Sequence, residues 1–230
     1  MQNLPTAEVY EKFFEFMPHG KLIEEISSYL VTHIPKRGNA LDLMCGPGYL
    51  LGKLNEQRPD VVYMGMDIDR GFITHAEKSY PGIVFCCADV CLWNPSERFD
   101  VVTCTGGTHH LPDELQDSFI GKISSLIKDG GFALIADPYI SDYRSEQERL
   151  LAGAKLGYEY LVATIQKGAP PDIIDEAVQT LRNDVLLVEW KTSIKKRLVM
   201  LRRYFKHIEM YKTWPAHETD YGDYYFVVRN

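Results

Sequence analysis

The chain has 230 residues, of which 45% are hydrophobic and 25% charged, and its formal net charge is −7. That is enough for one domain with a full core, and it argues against extended disorder. The acidic balance argues against a phosphate-binding surface, no apolar run reaches membrane-spanning length, and Met1 to Tyr10 shows no basic-then-apolar leader.

Two helical patterns open the chain, Thr6–Phe16 and Lys21–Thr32, split by Pro18-His19-Gly20. From Ala40 to Asp137, short β-rich runs then alternate with helical stretches. The expected strands are Ala40–Met44, Val61–Asp67, Ile83–Ala88, Phe99–Cys104 and Gly131–Asp137. Each is short and apolar, as buried parallel strands are. The helices between them are Tyr49–Gln57, Arg70–Ser79 and Asp113–Lys128, the last framed by Pro112 and by Gly130-Gly131. Such alternation predicts an α/β fold with a parallel sheet and right-handed crossovers. Ser145–Gln166, Asp172–Asn183 and Trp190–Phe205 read as further helices, and His207–Thr213 with Asp223–Val228 as a closing strand pair. The five cysteines, Cys45, Cys86, Cys87, Cys91 and Cys104, are odd in number and lack C-x-x-C pairs. They point to reduced thiols in a cytoplasmic setting rather than to zinc.

The strongest motif is Leu41-Asp42-Leu43-Met44-Cys45-Gly46-Pro47-Gly48, a strand running into a glycine turn and a helix. Such a turn lets the backbone approach a ligand. Leu51 stands where the third glycine of a dinucleotide fingerprint belongs, which weakens that reading. The segment resembles the D-x-G-x-G-x-G motif of class I S-adenosylmethionine-dependent methyltransferases, with Met44 in place of the first glycine.

Three more elements fit the same resemblance in order. They are Gly65-Met66-Asp67-Ile68-Asp69, Cys87-Ala88-Asp89-Val90, and Phe99 to Leu111 with His109-His110. The resemblance covers about 100 residues and implies a Rossmann-like sheet of seven mostly parallel strands with helices on both faces. It also implies S-adenosylmethionine as cofactor and S-adenosylhomocysteine as product. Asp42, Met44, Gly46 and Gly48 would embrace the methionine end. Asp67 would hold the ribose hydroxyls, Ile68 would lie against adenine, Asp89 and Val90 would meet the adenine edge, and Thr105 and Gly106 would sit beside the sulfonium. Asp69 is expected to cap the following helix.

For methyl transfer, His109 and His110 are the expected proton acceptors, since imidazole titrates near neutrality. The acceptor should be a small molecule with an O, N or C nucleophile, from specialised biosynthesis. Its expected contacts are Tyr10, Phe14, Tyr139, Tyr143, Trp214 and His217. Asp137 and Asp142 are acids of a kind that can hold Mg²⁺, but a third acid at clear spacing is missing, so no metal is expected. Residues 1–38 would form a helical cap, 39–138 with 190–230 the core, and 139–189 an inserted acceptor lid. A homodimer is left open. The basic face expected of the Trp190–Phe205 helix, with Lys191, Lys195, Lys196, Arg202, Arg203 and Lys206, supports RNA or protein as the alternative acceptor. Met44 keeps open a third reading, a cofactor-binding protein without catalysis.

Overall fold

The computed structural model describes residues 6–186 and 189–230. Residues 1–5 of the expected cap and 187–188 of the expected insertion lie outside them.

Two N-terminal helices, α1 (Ala7–Phe16) and α2 (His19–His33), precede the sheet. The core then runs β1 (Asn39–Leu43), α3 (Tyr49–Gln57), β2 (Val62–Asp67), α4 (Arg70–Ser79), β3 (Val84–Cys87) and β4 (Phe99–Thr105). A 3₁₀ turn, Thr108–His110, leads into α5 (Asp113–Leu126) and β5 (Ile127–Tyr139). Two long helices follow, α6 (Glu146–Gln166) and α7 (Pro171–Val185), then α8 (Ile194–Tyr204), β6 (His207–Trp214) and β7 (Gly222–Arg229).

The strands form one seven-stranded sheet in the order β3-β2-β1-β4-β5-β7-β6. β1 to β5 are parallel, whereas β7 runs antiparallel to β5 and β6 antiparallel to β7. The order reverses between β1 and β4. In an open sheet of this kind, that reversal opens a crevice at the carboxyl ends of the strands.

Period-two alternation divides the core between the two faces. Leu41, Leu43, Val102, Ala133 and Ile135 pack with Phe119, Ile120 and Ile123 of α5 and Leu201 of α8. Ala40, Val101, Leu134 and Ala136 pack with Leu22, Ile26 and Leu30 of α2 and Leu51 and Leu54 of α3. β7 is buried from Gly222 to Val228 because helices cover both its faces. A third cluster joins Met17 of α1–α2 to Leu156, Tyr160 and Ala177 of α6 and α7. The inserted helices therefore dock on the N-terminal ones, above the crevice.

Several boundaries differ from expectation, three of them with consequences for the site. α2 starts at His19, directly after Pro18, so His19 belongs to the helix and not to a loop. β5 starts at Ile127, which pairs with Phe99, and the ladder shifts register before Val101 opposite Phe132. α8 starts at Ile194, where Ser193 caps the Lys196 amide at 3.2 Å. Residues 190–193 are therefore extended, and Lys191 leaves the expected basic face for the interior. The rest of that face is partly neutralised: Lys195 pairs with Asp142, Arg203 with Asp117, and Lys196 lies over the Tyr143 ring.

Candidate active site

The β1 turn is built from left-handed backbone. Met44, Gly46 and Gly48 have φ of 58°, 54° and 85°. A Cβ on Gly48 would lie 2.9 Å from Phe85, so glycine is demanded twice there, by conformation and by space. Met44 adopts the same backbone at a cost of about 1–2 kcal/mol. Its side chain packs over Gly107 and against the core, away from the turn's open side.

Asp67 closes this turn from β2. Its carboxylate accepts from the Gly46 amide at 2.8 Å and the Asp69 amide at 2.9 Å. Burial raises its pKa, and the two amides offset part of that rise. Asp42 is buried and accepts from the Thr103 hydroxyl at 2.7 Å, and burial pushes its pKa to about 7. Asp69 caps α4 through the Phe72 amide. Ile68 is 68% exposed, flanking the crevice. Asp89 accepts from the Cys91 amide at 2.8 Å in an Asx turn, and the Val90 side chain is buried in the core. Thr105 presents a buried hydroxyl with no partner, and Gly106 follows it with φ 65°.

Next to Gly106 lies a cavity of about 120 Å³. Tyr10, Phe13, Met17, His19, Pro138 and Tyr160 form much of its wall, with His109 and His110 at one end. The polar remainder comes from Glu176, Gln179, Thr180 and Asn183 of α7, and from Glu189 and Lys191 beyond it. Residues 176, 179, 180 and 183 are spaced as one helical stripe.

His109 is anchored from behind. Its Nδ1–H donates to Asp137 Oδ1 at 2.8 Å, and Thr108 donates a short hydrogen bond to Asp137 Oδ2. Arg197, fully buried, donates to the Thr108 hydroxyl at 2.5 Å and to Gln116 at 3.0 Å. Burial alone would raise the Asp137 pKa, but His109, Arg197 and Thr108 together hold it low, so it is a carboxylate. A carboxylate can only accept, so Nδ1 carries a proton, and in the neutral imidazole Nε2 is then the acceptor nitrogen. That Nε2 lies 3.8 Å from Glu189.

His110 and His19 are kept neutral. Burial, reinforced by His109, lowers their pKa values to about 3 and about 4. Lys191 bridges Asp184 and Glu189 at 2.5 Å each. Burial pulls the Lys191 pKa down, but the two carboxylates outweigh it and raise it.

Among the described residues, His109, His110 and Glu189 bring ligand atoms within 4.8 Å of one another. The Lys191 ammonium already occupies Glu189, however, and opposes a second cation. Asp137 and Asp142 do not form a metal pair. The first is buried against His109 and Thr108, and the second is exposed against Ser193 and Lys195.

Several expected acceptor contacts require correction. Tyr139 is fully buried on the same face of β5 as Asp137, edge-on to Phe226, while Pro138 between them lines the cavity from the other face. Tyr143 lies under Lys196 and outside the cavity wall. His217 is exposed, and Lys212 donates to its carbonyl. Trp214 stacks on Tyr160 at 5.0 Å and stays one layer behind the cavity. Phe14 likewise backs the wall, packed against Tyr10, His19 and Tyr49, whereas Tyr10 reaches it and covers Gly46. Phe13, Met17, His19, Tyr160, Glu176 and Glu189 were missed, because nothing local in the sequence marks them as neighbours.

Residues 40–131 match the family described as a methyltransferase domain. Trans-aconitate 2-methyltransferase of Methylobacterium radiotolerans is 26% identical over 99 residues, covering 43% of this chain and 37% of the relative. Ubiquinone biosynthesis O-methyltransferase of Coxiella burnetii is 31% identical over 109 residues, 45% of each chain. The chain thus spans less than half the length of these curated relatives. A crystal structure of magnesium protoporphyrin IX methyltransferase from Synechocystis with bound S-adenosylmethionine shares the fold, with TM-score 0.60 and 14% identity over 93% of this chain and 80% of that one.

Fold and crevice define a Rossmann-like nucleotide-binding α/β protein. Over residues 40–131 the chain is similar to the methyltransferase-domain family, and its fold is that of S-adenosylmethionine-dependent methyltransferases. Its residues fit that family's cofactor: a glycine cradle that a Cβ would fill, a carboxylate at the end of β2 and an orphaned Thr105 hydroxyl.

Proposed function

We propose that the chain transfers a methyl group from S-adenosylmethionine to a small-molecule acceptor held in the cavity beside Gly106, with His109 as the base. The observation that carries this reading is the Asp137–His109 pair, which holds Nδ1 from behind and leaves the ring's other nitrogen in the cavity wall. Bound S-adenosylmethionine supplies an electrophilic methyl on positively charged sulfur.

The rest is done by this chain. Met44, Gly46 and Gly48 shape the cradle for the methionine end, with Asp42 toward its ammonium. Asp67 offers two oxygens to the ribose, Ile68 flanks the adenine, and Asp89 and the Val90 amide meet its edge. Thr105 and Gly106 lie where the cavity meets the cradle. His109 Nε2 takes the acceptor's proton as the nucleophile forms its bond, and Asp137 stabilises the imidazolium that results. His110, kept neutral by burial, lines the acceptor's approach. Tyr10 and the α6–α7 lid, within residues 139–189, exclude water.

The cavity is smaller than the roughly 300–1,000 Å³ typical of drug-sized ligands, which favours a compact acceptor over a macromolecule. Five free thiols suit a reducing cytoplasm. Purified protein should bind S-adenosylhomocysteine by calorimetry and release it from S-adenosylmethionine across a panel of small phenols, alcohols and amines. Indifference to both compounds at millimolar concentration would overturn the proposal.

A further inference from the structure

The charges around the cavity are unbalanced. Its lining contains two carboxylates, Glu176 and Glu189, and one cation, Lys191. That cation is already bonded to both Asp184 and Glu189, so the trio carries a net negative charge. Among the described residues, no arginine lines the cavity. Glu176 stands apart from this trio: among the described residues its carboxylate has no ion pair or hydrogen bond, and it is half-buried on the lid helix α7. Burial, with Asp175 beside it, raises its pKa. A partly desolvated carboxylate without a partner costs free energy until a cation or an N–H donor arrives. The wall around it includes Phe13, Met17 and Tyr160, flat or polarizable groups that suit an organic cation.

Resting on the methyltransferase reading, we infer that Glu176 anchors an acceptor carrying a protonated amine, with the nucleophile at a separate atom facing His109. A protonated amine has no lone pair and cannot itself be methylated. Anchor and nucleophile must therefore be different groups on one small scaffold. A carboxylate acceptor would enter an already negative cavity whose one cation is spoken for. The tricarboxylate named for one relative is thus disfavoured here.

Three phenols matched in ring and chain test this: tyramine, 4-ethylphenol and 3-(4-hydroxyphenyl)propanoate. Each is titrated calorimetrically into protein saturated with S-adenosylhomocysteine. Tyramine should bind roughly ten- to hundredfold tighter than 4-ethylphenol, and the carboxylate weakest. Glu176→Gln, first checked for unchanged S-adenosylhomocysteine affinity, should bring tyramine down to the level of 4-ethylphenol. Glu218→Gln, on an exposed loop, should keep the tyramine preference. The inference is overturned if the carboxylate binds as well as tyramine, if Glu176→Gln keeps the preference, or if none of the three binds. Failure of S-adenosylhomocysteine itself to bind would instead overturn the cofactor reading.

Discussion

Asp67→Ala isolates the cofactor cradle from the acceptor. Asp67 accepts from the Gly46 amide at 2.8 Å and the Asp69 amide at 2.9 Å, and its remaining lone pairs are the proposed ribose acceptors. A hydrogen bond to a charged group contributes about 1.5–3 kcal/mol. Losing two to the ribose hydroxyls should cost about 3–6 kcal/mol of binding, a roughly 100- to 10,000-fold loss of affinity. The turn also loses the acceptor of its Gly46 amide, which adds to the effect. Burial works the other way on folding, since it disfavours this charge and raises its pKa. Truncation therefore relieves a desolvation cost, and the variant should remain folded. Calorimetry with S-adenosylhomocysteine on wild type, Asp67→Ala and Asp67→Asn gives the affinities, and a melting curve separates binding from stability. Asp67→Asn keeps an oxygen for the amides and should fall between the other two. Affinity within about twofold of wild type in Asp67→Ala would refute the assignment of this carboxylate.

Asp137→Asn removes the charge that fixes the His109 proton and faces Arg197. It should lower kcat about 10- to 100-fold at unchanged S-adenosylhomocysteine affinity, and full activity would exclude His109 as the base. His109→Ala should slow turnover at least as much, again with the cofactor affinity nearly intact. Asp223 is fully buried and accepts a short hydrogen bond from Tyr160, and burial raises its pKa to about 7. A raised carboxylate pKa means its stabilising neutral form is complete below the unfolded value near 4 and is lost as pH rises through about 7. Asp223→Asn should therefore raise the melting temperature more at about pH 8 than at about pH 5, and equal shifts at the two would contradict this. Gly48→Ala should destabilise by at least about 1–2 kcal/mol from its left-handed backbone, plus crowding against Phe85. A neutral urea midpoint would count against it.

The parts of the fold legible in the sequence are those set by short-range pattern. Short apolar runs marked β1 to β5, and the glycine turn followed by Asp67 marked the cradle, because strand, turn and ligand contact lie within one βαβ unit. The acceptor half was not legible in this way. Asp137 meets His109 across 28 positions, and Arg197 meets Thr108 across 89. No local periodicity encodes such distances. His19 looked like part of a helix break because Pro18 and Gly20 flank it, yet Pro18 starts α2 and aims His19 at Gly106. Tyr139 still belongs to β5, whose pairing continues to Gly222, and two residues beyond Asp137 it returns to that residue's face and packs in the core instead of the cavity. Lys191 was misplaced by starting α8 at Trp190, whereas the helix starts at Ile194 with Ser193 as its N-cap.

That last error shows how the lid and the core are joined. The segment from Glu189 to Ser193 is not helical, and in extended chain successive side chains face opposite ways. Glu189 and Lys191 are therefore both buried toward the cavity, while Trp190 between them is half-exposed. Backbone bonds hold this register. The Trp190 amide donates to the His109 carbonyl at 2.7 Å, Gln116 donates to the Trp190 carbonyl at 2.8 Å, and Ile140 bridges to Ser193. A slip of one residue would bring Trp190 inward and expel the cation that bridges Asp184 and Glu189. It would leave two uncompensated carboxylates beside His109, at a cost of about 3–5 kcal/mol for the broken buried pair. The polar end of the acceptor chamber and the orientation of the His109 backbone are thus set by the same few hydrogen bonds. Residues along α6 and α7 can change while the Asp137–His109 pair stays where the sheet puts it.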